Sequence, residues 1–249
     1  MRLGYTLDAG VTARATLGLI VLKVDETLER EFRLLIPADV ALHITRILSG
    51  DDLTPDTIAA MEIALPAAAG LLPQAAAFDV IGYACTSGTT LIGADRVAER
   101  VREGVACRAV TNPLDAVTTA LGALGAQRVA MVTPYIDLVA GPVRAALEEA
   151  GFATSTCLSF GEAVEARVAR IDARSVRAAA VQAARAAPCD AVFLSCTNLR
   201  SLPLIDGLEA ELGMPVLSSN LALAWHMAQL AGLSLPGAPG RLMRIGRVQ

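Results

Sequence analysis

The chain is poor in the groups on which most enzymes rely. Its 249 residues include only two histidines, and charged residues make up 18%. The five cysteines, Cys85, Cys107, Cys157, Cys189 and Cys196, show no C-x-x-C spacing. With only His43 and His226 to join them, a zinc site is not expected. An odd cysteine count argues for free thiols over structural disulfides, and Cys107, Cys157 and Cys189 read as small core hydrophobes. No cluster of Lys and Arg stands out and the net charge is −4, which argues against nucleic acid as a partner. The longest apolar stretches, such as Ile63 to Leu72, are interrupted by proline and too short to span a bilayer. The start, Met1-Arg2-Leu3-Gly4-Tyr5, lacks the pattern of a signal peptide, so a cytoplasmic location is expected. There is no P-loop, and no G-x-G-x-x-G follows the first apolar run. Hydride and phosphoryl transfer have no support, and no cofactor or metal is expected.

What is present is a repeat. Asp79-Val80-Ile81-Gly82-Tyr83-Ala84-Cys85-Thr86 matches Asp190-Ala191-Val192-Phe193-Leu194-Ser195-Cys196-Thr197, and the two cysteines lie 111 residues apart. Leu17-Gly18-Leu19-Ile20-Val21, with Asp25 beyond, precedes Val129-Ala130-Met131-Val132-Thr133, with Asp137 beyond, by nearly the same distance. A solenoid would repeat at roughly 20–50 residues. This longer period implies two similar domains, each with one cysteine at the end of a buried strand.

Hydrophobic residues make up 54% of the chain, enough to bury two cores. Strands are expected at Leu17–Leu22, Val40–Thr45, Asp79–Ala84, Arg108–Val110, Arg128–Thr133, Thr154–Leu158, Ala191–Ser195 and Val216–Leu217. Helical spacing fills the intervals, for example Pro142–Ala150, Arg174–Ala187, Ile205–Leu212 and Asn220–Ala231. Thr54-Pro55 should open one helix, and Gly125, Gly151 and Gly213 should follow others. Strands alternating with helices predict α/β domains with parallel sheets. The expected division is 1–115 and 116–219, with 220–249 packing back on the first domain. In open α/β sheets ligands bind beyond the carboxyl ends of strands. Cys85, Cys196, Lys23–Asp25 and Pro134–Tyr135 fall at those ends, which predicts one active-site cleft between the domains.

After each cysteine comes Thr-Ser-Gly-Thr or Thr-Asn-Leu, expected to lead into a helix. Amides at a helix start would lower a thiol's pKa from about 8.5 toward neutrality. Thr86 and Ser87, with nearby backbone N–H groups, suit a substrate carboxylate or an enolate-like oxyanion. Two thiols on facing half-molecules suit proton transfer on both sides of one carbon. The alternative is that both Cys-Thr pairs are coincidental strand ends. His43, in a strand pattern, and His226, in a helix, read as structural.

Those motifs, with Thr133-Pro134-Tyr135-Ile136 and Pro215-Val216-Leu217-Ser218-Ser219-Asn220, resemble the aspartate/glutamate racemase superfamily, nearest its maleate isomerase and arylmalonate decarboxylase branch. The resemblance spans about Leu17 to Leu230. It implies a pseudo-twofold pair of Rossmann-like domains with the site between them, and Cys85 and Cys196 as catalytic thiols. It also implies Thr86 and Ser87 as carboxylate donors, Tyr135 as a donor to substrate oxygen, and Thr197 and Asn198 as substrate-binding residues. In maleate isomerases the first cysteine adds to the alkene, whereas arylmalonate decarboxylases keep only the second. Maleate isomerases carry substrate-binding asparagines where this chain has Asp25 and, in a looser register, Glu165. Acidic residues there would repel a second carboxylate and attract a cation, although Asp25 could instead pair with Lys23 or cap the next helix. The implied activity is a cofactor-independent racemase or epimerase acting on a small carboxylate with a cationic nitrogen. The alternatives are a maleate cis–trans isomerase, a decarboxylase-like enzyme and a non-catalytic binding protein. The chain is also similar to superfamily members associated with ectoine breakdown. A homo-oligomer is the one further partner expected.

Overall fold

Runs of aliphatic and β-branched residues give eight strands among the described residues, which are 2–7, 13–52 and 54–246 of the computed structural model. The ends of the expected domain ranges, residues 1 and 247–249, lie outside them, as do 8–12 and 53. Strands β1 (Thr16–Leu22), β2 (Ala41–Ile47), β3 (Phe78–Ala84) and β4 (Cys107–Thr111) form one sheet in the order β2-β1-β3-β4. Strands β5 (Arg128–Tyr135), β6 (Ala153–Glu162), β7 (Ala191–Leu194) and β8 (Val216–Ser218) form a second in the order β6-β5-β7-β8. All the pairings within these sheets are parallel. The two halves are therefore copies of one α/β plan.

Helix α1 (Leu28–Leu35) follows β1, and α2 (Pro55–Ala59) and α3 (Met61–Gly70) follow β2. Helices α4 (Thr86–Ile92) and α5 (Ala94–Gly104) follow β3, and α6 (Pro113–Ala123) carries the chain to the second sheet. There α7 (Asp137–Glu149) follows β5, α8 (Glu165–Val168) and α9 (Ala173–Ala186) follow β6, and α10 (Ile205–Leu212) precedes β8. The last helix, α11 (Ser219–Ala231), is buried along nearly its whole length and packs on α6, β3 and β4.

Central strands are apolar on both faces because helices cover both. Leu17, Leu19, Ile20 and Val21 of β1 and all of β7 are fully buried. The repeated aspartates hold the sheets at their amino ends. Asp79 Oδ2 accepts the Thr16 amide at 2.9 Å, and Asp190 Oδ2 accepts the Arg128 amide at 2.8 Å. The duplicated motif thus fastens each cysteine-bearing strand to its neighbour, and delivers Cys85 and Cys196 to equivalent carboxyl ends.

Two expectations change in detail. Cys107, Cys157 and Cys189 are half-buried against the core. The first two lie on edge strands and the third in the turn before β7. Helix α7 starts at Asp137, five residues before Pro142, which the helix accommodates in its first turns. The histidines are occupied by packing: His43 meets Phe78 edge-on at 5.6 Å, and His226 Nδ1 hydrogen-bonds the Thr111 hydroxyl at 2.8 Å.

Candidate active site

The first thiol sits where β3 becomes α4. Cys85 is the N-cap of that helix, and its sulfur accepts the Gly88 amide at 3.1 Å with the Ser87 hydroxyl 3.6 Å away. Gly88 is required here. A Cβ at that position would lie 2.6 Å from the Tyr83 hydroxyl and 2.8 Å from the Cys85 sulfur, inside contact distance. The amide reaches the sulfur only because nothing stands between them.

The second thiol is held differently. No regular helix follows Cys196 directly. Residues 197–201 form a turn, a short 3-10 segment spans Leu202–Leu204, and α10 begins at Ile205. The prediction of a helix start at both cysteines is therefore corrected for Cys196. Its backbone has φ 146°, the one positive φ among the described non-glycine residues. Such strain persists only where the surroundings over-determine it, and it clusters at functional sites. Here the Cys196 amide donates to Ser219 Oγ at 3.0 Å, and the sulfur accepts the Asn198 amide at 3.4 Å. The Tyr135 hydroxyl lies near this sulfur and favours its ionised form.

The two half-sites are stitched together. Thr86 Oγ1 and Ser219 Oγ are 2.9 Å apart, and the Thr197 hydroxyl reaches the Ala84 carbonyl at 3.4 Å. Tyr135 and Glu165 each lie close enough to both sulfurs to feel them electrostatically.

Acidic side chains dominate the remainder. Asp25 is buried, and its Oδ1 accepts the Thr27 and Leu28 amides, both at 2.8 Å, fixing the start of α1. Its other oxygen, Oδ2, is buried beside Thr197 without a hydrogen bond. The helix-capping alternative is therefore satisfied by one oxygen and leaves the other unused. Lys23 pairs with Asp51 at 3.5 Å, not with Asp25. Glu165, at the start of α8, receives Asn198 Nδ2 on Oε2 at 2.9 Å, and its carbonyl receives the same group at 3.1 Å. Asn198 Oδ1 in turn accepts the Glu26 amide at 2.9 Å. Expected to bind substrate, Asn198 spends its side chain holding Glu165 and the β1 loop in place.

Burial governs the proton affinities. It pushes the Cys85 thiol up to about 12, against the opposing contacts of Ser87 and the Gly88 amide. Burial and then the Glu165 charge raise Cys196 well above the ordinary thiol range. The expected lowering of both thiols by helix amides is overturned, because one or two amide contacts do not offset the loss of water. Burial lifts the Glu165 carboxyl to about 7, with Asp25 adding to the rise, and lifts Asp25 as well. Cys85, Ser87, Glu165, Met61 and Ser49 line a cavity with only about 10 Å³ in which a water could be centred, close to the minimum for one water.

Sequence reasoning missed Glu31, Ser219 and Asn220 as parts of this assembly. Glu31 Oε1 accepts the Ser201 and Leu202 amides at 3.2 and 3.0 Å, and Oε2 accepts Asn220 Nδ2 at 2.8 Å. Asn220 Nδ2 also donates to the Thr197 carbonyl at 2.8 Å. A signal was present for Glu31: it shares a helical face with Leu28, Phe32 and Leu35, where an acid needs a buried partner. Among the described residues, no group of three or more His, Cys, Asp or Glu is placed to hold a metal, and no helix is long and apolar enough to cross a membrane.

Comparison with known proteins agrees with the fold. The arylmalonate decarboxylase family model matches residues 95–243. A maleate isomerase of Nocardia farcinica is 34% identical over 242 residues, covering 92% of this chain and 95% of that protein. The arylmalonate decarboxylase of Bordetella bronchiseptica is 36% identical over 154 residues, 61% of this chain and 63% of that protein. Among solved structures, a maleate isomerase variant from Pseudomonas putida S16 with maleate superposes with a TM-score of 0.84 at 26% identity, covering 94% of this chain and 99% of that one. A mutant of the Nocardia farcinica maleate cis–trans isomerase with a covalently bound succinylcysteine intermediate gives 0.83 at 32% identity, covering 92% and 98%.

Proposed function

Because the chain belongs to the arylmalonate decarboxylase and maleate isomerase family of enzymes, we propose that it is a cofactor-independent racemase or epimerase whose two bases are Cys85 and Cys196. Its substrate is a small carboxylate that also carries a cationic nitrogen. The observation that carries this reading is the pair of buried carboxyls, Asp25 and Glu165: both act electrostatically on Cys196, and Glu165 on Cys85 as well.

Charge decides the substrate class. A working thiolate adds one negative charge to a site that already contains two acids, and the substrate carboxylate adds another. Like charges a few ångströms apart in a partly buried site repel by several kcal/mol. A dianionic substrate would increase that repulsion and push the thiols higher. A cationic nitrogen beside Asp25 Oδ2 and Glu165 offsets it and lowers a thiol toward ionisation.

The chemistry then needs no further group. One sulfur, as thiolate, takes the proton on the carbon next to the carboxylate. The electron pair left behind spreads onto the carboxylate, where Thr86, Ser87 and backbone amides donate hydrogen bonds. The opposite thiol returns its own proton to the other face, inverting the centre and leaving the two sulfurs with exchanged protonation. Tyr135, a phenol that is protonated at neutral pH and that burial holds still more firmly in that form, donates to the developing oxyanion.

A second reading rests on the match to the Nocardia maleate isomerase across 92% of the chain. In it, the Cys85 sulfur adds to one alkene carbon of maleate, the adduct rotates about the former double bond, and expulsion of the sulfur gives fumarate. Incubation of the enzyme with candidate carboxylates in D₂O, followed by mass and chirality analysis, separates the two. Deuterium at an inverted stereocentre supports proton transfer. Fumarate from maleate, with no substrate undergoing exchange, would overturn the primary reading.

A further inference from the structure

The junction of β8 and α11 belongs to neither cysteine loop, yet it touches both. Ser219 is fully buried. Its hydroxyl stands 2.9 Å from Thr86 Oγ1, next to Cys85, and accepts the Cys196 amide at 3.0 Å. Its neighbours do other work. Ser218 Oγ caps α11 by accepting the Leu221 amide at 3.1 Å, and Asn220 binds Glu31 and the Thr197 carbonyl.

We propose that Ser219 is a positioning residue that ties Cys196 to the Cys85 half of the site, holding Cys196 in its φ 146° conformation so that both sulfurs address the same carbon. The argument is one of backbone energetics. A non-glycine residue at positive φ outside the narrow left-handed helical region is strained, and relaxes unless its neighbours hold it. The Cys196 amide is a contact through which that conformation is held, because rotation about φ swings the side chain relative to the amide. Losing the Ser219 acceptor leaves a buried N–H unpaired and gives the peptide reason to turn toward another partner. When it turns, Sγ leaves its place beside Tyr135. Cys85 has its own anchors, the Gly88 amide and Ser87, and does not depend on this link.

The inference rests on the two-thiol reading for its functional meaning, but its test needs no substrate. Iodoacetamide at pH 9, with site-resolved mass spectrometry, gives the alkylation rate at Cys196 relative to Cys85. In Ser219→Ala that ratio should change by about fivefold or more, the factor that about 1 kcal/mol of altered alignment produces. In Ser218→Ala, which removes only a helix cap, melting temperature should fall while the ratio stays at its wild-type value. If Ser219→Ala does not fold, Ser219→Gly removes the same hydroxyl with less bulk and carries the same expectation. A crystal structure of the folded variant should show Cys196 with negative φ. An unchanged alkylation ratio, or Cys196 still near φ 146° without the hydroxyl, would overturn the proposal. Either result would leave the identity of the substrate untouched.

Discussion

The two oxygens of Asp25 are used differently. Oδ1 caps α1, and Oδ2 is buried without a hydrogen bond. Asparagine caps a helix about as well as aspartate, so Asp25→Asn should leave thermal stability nearly unchanged. For a substrate with a cationic nitrogen, kcat/KM should fall by an amount equivalent to about 1–3 kcal/mol, the scale of a hydrogen bond to a charged group. Tolerance of a maleate-like dianion should rise. Measuring kcat/KM for one substrate of each kind in both proteins checks this, and an unchanged ratio removes Asp25 from recognition. Glu165 gives a pH signature. Its folded pKa is raised from 4.5 to about 7, so between those values the folded chain binds more protons than the unfolded one. Stability is therefore greatest below the unfolded value and is lost as pH rises toward 7. Glu165→Gln should flatten that loss by on the order of 1–3 kcal/mol between pH 5 and 8, read from urea denaturation at both pH values. Parallel pH profiles in the two proteins would show that Glu165 does not carry the shift.

At the scale of elements, the chain was legible wherever a local pattern determines structure. All eight expected strands are present, since continuous aliphatic runs such as Val192-Phe193-Leu194 have no stable home except a doubly covered sheet. Gly125, Gly151 and Gly213 end helices at positive φ, as their spacing predicted. The departures come from tertiary contacts. The turn after Cys196 looked like a helix start because Thr-Asn resembles a cap, but Asn198 is drawn away to Glu165 and the Glu26 amide. The thiol pKa values went the opposite way because burial between two domains is not written in either local motif. Glu31 belongs to this class. It joins α1 to α11 and to the turn before α10 through three hydrogen bonds, and Glu31→Ala leaves two backbone amides and Asn220 without that partner. That variant should lose about 3 kcal/mol or more in urea denaturation, whereas Glu31→Gln, which keeps one acceptor, should lose less. Equal, small losses would mean that water replaces the carboxylate.

For the whole molecule, the repeat supplies what a chain so poor in histidine and charge would need for the proposed acid–base chemistry. Duplicating one α/β plan places a thiol at equivalent strand ends, β3 and β7, and the β8–α11 junction with Tyr135 and Glu165 brings both ends to one site. The family was visible in the ordered motifs. The closed state of the site was not, because it depends on both halves meeting. The most direct test of two thiols sharing one carbon is α-proton exchange and racemisation in D₂O, followed together in Cys85→Ser and Cys196→Ser with the substrate that the wild type inverts. Each variant should lose racemisation while still exchanging the α-proton of one enantiomer, and the two should exchange opposite enantiomers, since each keeps the base on one face. Full racemisation by either variant would contradict the account.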